Sequence, residues 1–402
     1  MDITVKTSEL MDVLDSVVRI AGRKMTIPIL GNVLVTATAE ATTLEVTDID
    51  VSLRLRCPAS VTVPGKALLP ATKLREIMRA LPGADVRIRV EGKTAQIDAD
   101  PYHGRLQAPP VDQFPVLAEP EGESVSLPKH VLLSMLQRTR FAITETTQRY
   151  FMSGACLWVD DGKAKVGTTD GHRMALCTVT GTEKEPLAGA LKPVLISRKS
   201  VDELPSMLDG LGDVTIHVGV NNIYFSCDGR LLISRRIEEK EPAYERVIPK
   251  ENKHTVSVVR QTFASVMRRV AITASKETGK IKLSIDSGGI TVSAESVEWG
   301  ESSERYEAKY EDAPVEFYVK AQYLLDFFDA AVTNESVLME FKNSMTPAIL
   351  RGLPLDATIA PLVVVTPIRP PIEDEKKADG GDESKSEKPK KSSGKKKAKE
   401  TA

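Results

Sequence analysis

The residues of this 402-residue chain that could do chemistry gather at Asp170, His172 and Arg173, within Thr168-Thr169-Asp170-Gly171-His172-Arg173-Met174-Ala175. A carboxylate two positions from an imidazole is the smallest form of a general acid–base pair. Catalysis would also need a nucleophile or a metal beside that pair. The sequence offers no Gly-Lys-Ser/Thr phosphate loop, no Cys/His metal cluster and no Ser nucleophile elbow. The second reading is a hairpin that caps a sheet, and these residues alone favour it. Val166-Gly167-Thr168-Thr169 and Met174-Ala175-Leu176-Cys177 read as strands, with Tyr150-Phe151-Met152 just upstream. Between them Gly171 tolerates a positive φ, and Asp170 can hydrogen-bond its own backbone.

The elements that would position this turn recur about every 120 residues. Near Met1, Leu127 and His254 a strand leads into a helix. The apolar stripes are Leu10, Val13, Leu14, Val17 and Val18; Leu132, Met135 and Leu136; and Phe263, Val266, Met267 and Val270. Strands follow at Leu30 to Val35, Met152 to Val159 and Ile281 to Ile285. Thr47-Asp48 repeats Thr169-Asp170 at a distance of 122 positions. Second helices follow on Leu74, Ile77, Met78 and Leu81; Val201, Leu204, Pro205 and Leu208; and Leu324, Phe327, Phe328 and Ala331. Paired strands close each unit at 86–99, 214–226 and 337–350, and 113–117 and 243–247 read as linkers. Two amphipathic helices need a sheet to cover. The expected fold is therefore α+β, with three tandem similar domains at 1–120, 121–250 and 251–370, each placing two helices on mostly antiparallel sheet.

Composition is that of an ordinary soluble chain, 41% apolar and 27% charged. No apolar run suits a bilayer, and the opening Met1-Asp2-Ile3-Thr4-Val5-Lys6 reads as a strand and not a signal peptide. Cys57, Cys156, Cys177 and Cys227 lack metal-ligand spacing and read as buried free thiols of a reducing cytosol. No metal or cofactor is expected. Net charge is −2, so any contact with nucleic acid would have to be a local basic surface. Residues 373–402 hold ten Lys and eight acids, giving +2 for this segment and −4 for the rest. With no aromatic residue this segment, 371–402, is expected to be disordered. Basic residues recur on or beside the helices: Arg23, Lys24, Lys73, Arg75 and Arg79; Arg138, Arg140, Arg198 and Lys199; and Arg268, Arg269 and Lys320. They read either as solvated helix faces or as one shared anion-facing surface.

The Thr-Asp-Gly-His-Arg turn, the three units and a Pro-x-x-Arg strand near the end together resemble the beta subunit of bacterial DNA polymerase III across residues 1 to about 370. The resemblance implies a non-catalytic sliding clamp. Two three-domain chains would join head to tail in a ring, with helices lining the channel and sheets outside. Such a ring would slide on duplex DNA without reading sequence, tethering polymerases in a cytoplasmic, nucleoid-associated setting. The implied partners are a second copy, double-stranded DNA, an ATP-driven clamp loader, the polymerase III alpha subunit, other polymerases, and repair and ligation factors carrying clamp-binding peptides. No membrane is implied.

Carried over residue by residue, the peptide pocket comprises Met152, Thr169, Gly171, His172, Arg173, Met174, Pro242 and Val247 with Pro347, Val364, Thr366, Pro367, Ile368 and Arg369. The DNA-binding set is Arg23, Lys24, Lys73, Arg79, Tyr150, Phe151, Lys199 and Arg246. Ring closure would set Leu106 and Ala108 against Ile272 and Thr273. Two departures stand out. Thr366-Pro367-Ile368-Arg369 replaces the family's Met-Pro-Met/Val-Arg, making that corner smaller and more polar, and about 33 residues follow where the family usually stops. The rival readings are an enzyme using Asp170 and His172 and a monomeric scaffold that never encircles DNA.

Overall fold

The computed structural model describes residues 1–22, 26–81, 83, 85–144, 150–183, 185–238, 242–355 and 358–368, with Tyr150 as backbone only. The charged end expected to be disordered lies outside the described residues, as do Arg23, Lys24 and Arg369.

The 3.6-residue stripes do form helices. Thr7–Ala21 buries Leu10, Leu14, Val17 and Ile20, and packs on Ala71–Ala80, which buries Leu74 and Met78. In the second unit Lys129–Thr139 buries Leu132, Met135 and Leu136. Its companion Arg198–Met207 opens on Ser197, whose hydroxyl accepts from the Ser200 amide, an N-cap that satisfies one free donor. In the third unit Arg260–Val270 buries Phe263, Val266, Met267 and Val270. Ala321–Asp326 there continues as a π turn over Phe327–Ala331, which carries Phe327, Phe328 and Ala331 inward. Three boundaries differ from expectation. Pro28–Gly31 is a 3-10 turn, so the strand begins at Asn32. Met152 likewise ends the 3-10 turn Tyr150–Met152, and its strand begins at Gly154. The linker at 243–247 holds a short helix, Tyr244–Val247.

Among the described residues every strand pair is antiparallel, in four sheets. A five-stranded sheet runs Ser60–Val63, Asp2–Lys6, Asp85–Glu91, Thr94–Ala99, Tyr102–Gln107. A four-stranded sheet runs Gly300–Tyr306, Gly289–Ser296, Lys280–Asp286, Val315–Lys320. The two eight-stranded sheets are each shared between neighbouring units. In one, Val51–Cys57 of the first unit pairs with Arg230–Arg235 of the second. In the other, Arg173–Thr180 of the second unit pairs with Ile359–Val365 of the third. One rule covers both junctions: the last strand of a unit's meander pairs with the final strand of the next unit. These final strands separate the faces by alternation. Ala175, Val363 and Val365 point into the helix-side core, whereas Met174, Leu176, Leu362 and Val364 form a separate cluster on the outer face. All four cysteines are buried and free, as expected. Burial in apolar surroundings pushes the Cys57 and Cys177 thiols up to about 12.

Candidate functional site

The Asp170 turn is a hairpin between Lys163–Thr169 and Arg173–Thr180, with Gly171 at φ +86°. One Asp170 oxygen accepts from the amides of His172 and Arg173, each at 2.9 Å, and the other from Arg173 Nε at 3.1 Å. The Thr169 hydroxyl donates to the Arg173 carbonyl at 2.8 Å and accepts from the Gly171 amide at 3.1 Å. Asp170 is thus spent on the turn, and the His172 ring lies on Tyr323, with centroids 6.3 Å apart and planes 18° from parallel. No acid–base pair is assembled.

Arg173 is the larger surprise. Its side chain is only 8% exposed and lies on the helix side of the sheet. There it donates to Asp326 at 2.5 Å and to the Phe141 carbonyl at 2.7 Å, between the rings of Phe141 and Tyr323. It binds the second unit to the third, and it does not line the outer face.

That outer face carries a separate, largely buried apolar cluster. Met174 and Val364 sit opposite one another in register, flanked by Leu176, Leu362, Ile349 and Leu195, with Phe151 packed against them. Met152 is buried, and its methyl would stand 3.3 Å from a Cβ on Gly171. Tyr244 fills the hollow above Gly167, where a Cβ would be 2.9 Å from its ring, and stacks on Trp158 at 5.8 Å. A cleft of about 360 Å³ opens beside it, lined by Cys156, Trp158, Pro193, Pro242, Ala243, Glu245 and Arg246 as well as Tyr244. Lys165 closes one wall through Glu245 at 2.6 Å. Beside the turn, Thr366 is exposed and its amide donates to the His172 carbonyl at 3.0 Å. Pro242, Pro347, Pro367 and Ile368 are half-buried, and Val247 is exposed. The Ile368 amide donates to the Tyr318 carbonyl at 2.7 Å.

The residues expected to meet DNA divide. Arg79 is exposed at the end of its helix, and among the described residues it has no ion-pair partner. Lys73 is exposed but pairs with Glu76 at 2.6 Å. Lys199 is committed within the chain: it reaches Asp50 at 2.7 Å and Asp48 at 3.1 Å, across the first junction. Burial works against its ammonium, yet those two carboxylates outweigh it and raise the pKa. Arg246 lines the outer-face cleft and Phe151 packs on the outer-face cluster, so both sit with the peptide-pocket residues. Most other helix cations are also paired: Arg75 with Asp15, Arg198 with Asp202, Arg268 with Asp329 and Arg269 with Glu304. Arg198 and Asp202 are four positions apart on one helix, but the other three partners lie on other elements, and spacing alone did not reveal them. Leu106 and Ala108 lie on and just after the edge strand Tyr102–Gln107. Ile272 is 76% exposed, and Thr273 bonds Ser302 of the edge strand Gly300–Tyr306 at 2.6 Å.

Three family domains match in tandem: the DNA polymerase III beta subunit N-terminal domain over residues 1–118, its central domain over 126–243 and its C-terminal domain over 245–366. The beta sliding clamp of Caulobacter vibrioides (strain NA1000 / CB15N) is 30% identical over 335 residues, 81% of this chain and 89% of that one. The chain belongs to the DNA polymerase III beta subunit family. The crystal structure of the Pseudomonas aeruginosa beta subunit aligns with a TM-score of 0.86 at 28% identity, covering 92% of this chain and all of that one. A Bartonella birtlesii sliding clamp bound to griselimycin aligns equally well, at 29% identity, covering 92% of this chain and 99% of that one. As a sliding clamp the chain is a processivity factor of DNA replication, working with DNA and polymerase, and is not an enzyme. The clamp reading displaces the Asp170–His172 enzyme reading, and the geometry of the turn agrees with it.

Proposed function

We propose that two copies close head to tail into a ring around duplex DNA and dock partner peptides in the outer-face pocket of the second junction. The carrying observation is the junction rule. The meander's last strand in units one and two pairs with the next unit's final strand. Unit three's equivalent, Gly300–Tyr306, and unit one's final strand, Tyr102–Gln107, each pair on one side only among the described residues. Joining them between copies would repeat the same contact, and a heterologous contact closes when its rotation allows. Exposed edges are otherwise a hazard for aggregation. Charge suits the pairing, since exposed Arg105 lies on one edge strand and exposed Glu301 on the other, and Ile272 is exposed near the second.

The pocket reading rests on Met174, Val364, Leu176 and Leu362, an apolar floor suited to Leu or Phe side chains, with Pro242, Val247, Pro347, Thr366, Pro367 and Ile368 around it. Clamp loader, polymerase III alpha subunit, other polymerases, and repair and ligation factors would compete for it. In the channel Arg79 and Lys73 would supply attraction to phosphates that reads no base.

The test is retention on nicked circular DNA after loading by a bacterial clamp loader and ATP. Release on linearisation, together with a solution mass near 88 kDa (twice 43.9 kDa), is expected. A monomer at micromolar concentration, or equal retention on linear DNA, would overturn the ring.

A further inference from the structure

The first junction repeats the peptide-pocket framework with different chemistry. Ile49 donates to the Thr47 hydroxyl at 3.0 Å, and Asp50 and Val51 donate to Asp48 at 3.1 and 2.8 Å. These match bond for bond the turn from Thr169 to Arg173, and Ile49 adopts φ +81° where Gly171 has +86°. The Arg235 amide donates to the Asp50 carbonyl at 2.8 Å, as Thr366 does to His172. Ser52 faces Ile233 in register where Met174 faces Val364. The face is also the same: Val51, Leu53 and Leu232 enter the helix-side core, whereas Leu231 and Ile233 join a separate outer cluster with Leu117 and Tyr224.

At this site Ser52 stands for Met174 and Arg54 for Leu176, with Arg54 held by Glu45 and Glu119. Arg235 and Arg236 stand for Thr366 and Pro367. A cleft of about 390 Å³ results, lined by Ile49, Asn221, Asn222, Arg235, Arg236 and Glu238. Among the described residues neither Arg235 nor Arg236 has a carboxylate partner. Two arginines against one glutamate leave the lining net positive, and the amides of Asn221 and Asn222 can donate and accept along an extended backbone.

We infer that this cleft is a second docking site, for a short acidic segment of a partner protein, distinct from the apolar pocket. Guanidinium groups bind carboxylates in forked pairs, so a Glu- or Asp-bearing strand fits, whereas Ser52 and Arg54 replace half of the apolar floor that Leu and Phe anchors use at the other pocket. Its position on the face away from the helices makes a protein segment the occupant in preference to the DNA. The inference stands on the cleft's own geometry and survives if the ring does not.

The experiment uses the full chain and a fluorescein-labelled decapeptide of alternating Glu and Ser, followed by anisotropy. Saturable binding that weakens with salt is expected. Arg235→Gln/Arg236→Gln should lower affinity about tenfold, since both carboxylate forks are lost. Lys66→Gln/Lys253→Gln makes the same charge change at exposed sites elsewhere and should leave it within about twofold. A leucine-bearing peptide held at the Met174 pocket should not compete. Equal loss in both double variants, competition by the leucine-bearing peptide, or displacement by a duplex oligonucleotide would each overturn the inference.

Discussion

Arg173 shows what a motif residue can hide. Its place beside Asp170 and His172 suggested chemistry, and its resemblance to a known motif suggested a pocket wall. The fold uses it as a pin instead, with its guanidinium shared among Asp170, Asp326 and the Phe141 carbonyl. Removing one partner of a buried, hydrogen-bonded ion pair typically costs about 3–5 kcal/mol, because the other charge stays behind unpaired. Arg173→Met should therefore lower stability by about 3 kcal/mol, whereas His172→Ala at the exposed neighbouring position should cost under about 1 kcal/mol. Urea denaturation of the two variants checks this, and comparable losses would sink the pinning role. Lys199 teaches the same lesson. Its helix was readable, but Asp48 and Asp50 lie some 150 positions earlier, and only folding brings them to its ammonium.

At the scale of elements, the repeated turn was legible because its hydrogen bonds are local. Thr47-Asp48 and Thr169-Asp170 recur in sequence, and both fold into the same hairpin. The difference between them is Ile49, a β-branched residue at a φ that glycine takes without strain. Such a residue stores about 1–3 kcal/mol, partly offset by the backbone freedom that glycine regains on unfolding. Because Ile49 is 55% exposed, little packing is lost with its side chain. Ile49→Gly should raise stability by about 1 kcal/mol, seen as a higher urea midpoint at unchanged m-value. A lower midpoint would mean that the isoleucine side chain contributes more than its backbone costs.

For the whole molecule, charge is the useful ledger. Among the described residues many of the helix cations pair with carboxylates of the same chain, while Arg79, Arg138, Arg140 and Lys320 have no carboxylate partner. Loose attraction suits a protein retained by encirclement. The segment after 370 is different in kind: its acids lie mostly at the start, and Lys395-Lys396-Lys397-Ala398-Lys399 lies near its end. Each lysine engaged on a phosphate steepens the salt dependence of log Kobs by about 0.9. Deleting 371–402 should flatten that slope by several units for duplex DNA without changing the solution mass class. An unchanged slope would leave the segment as a solubilising extension.

The sequence by itself determined the helices, the threefold repeat, the buried thiols and the Thr-Asp turns. All of these follow from apolar periodicity or from bonds spanning a few residues, which any window of the chain displays. Tertiary structure alone decided that the final strands of units two and three join the preceding unit's sheet, that Arg173 and Lys199 are clasps, and that Arg246 and Phe151 sit with the outer-face cluster. It also decided that the first junction carries a polar counterpart of the second. Each of these depends on which face of a strand a residue occupies and on what stands opposite it. Partners from 150 positions away settle that, and no local pattern records them.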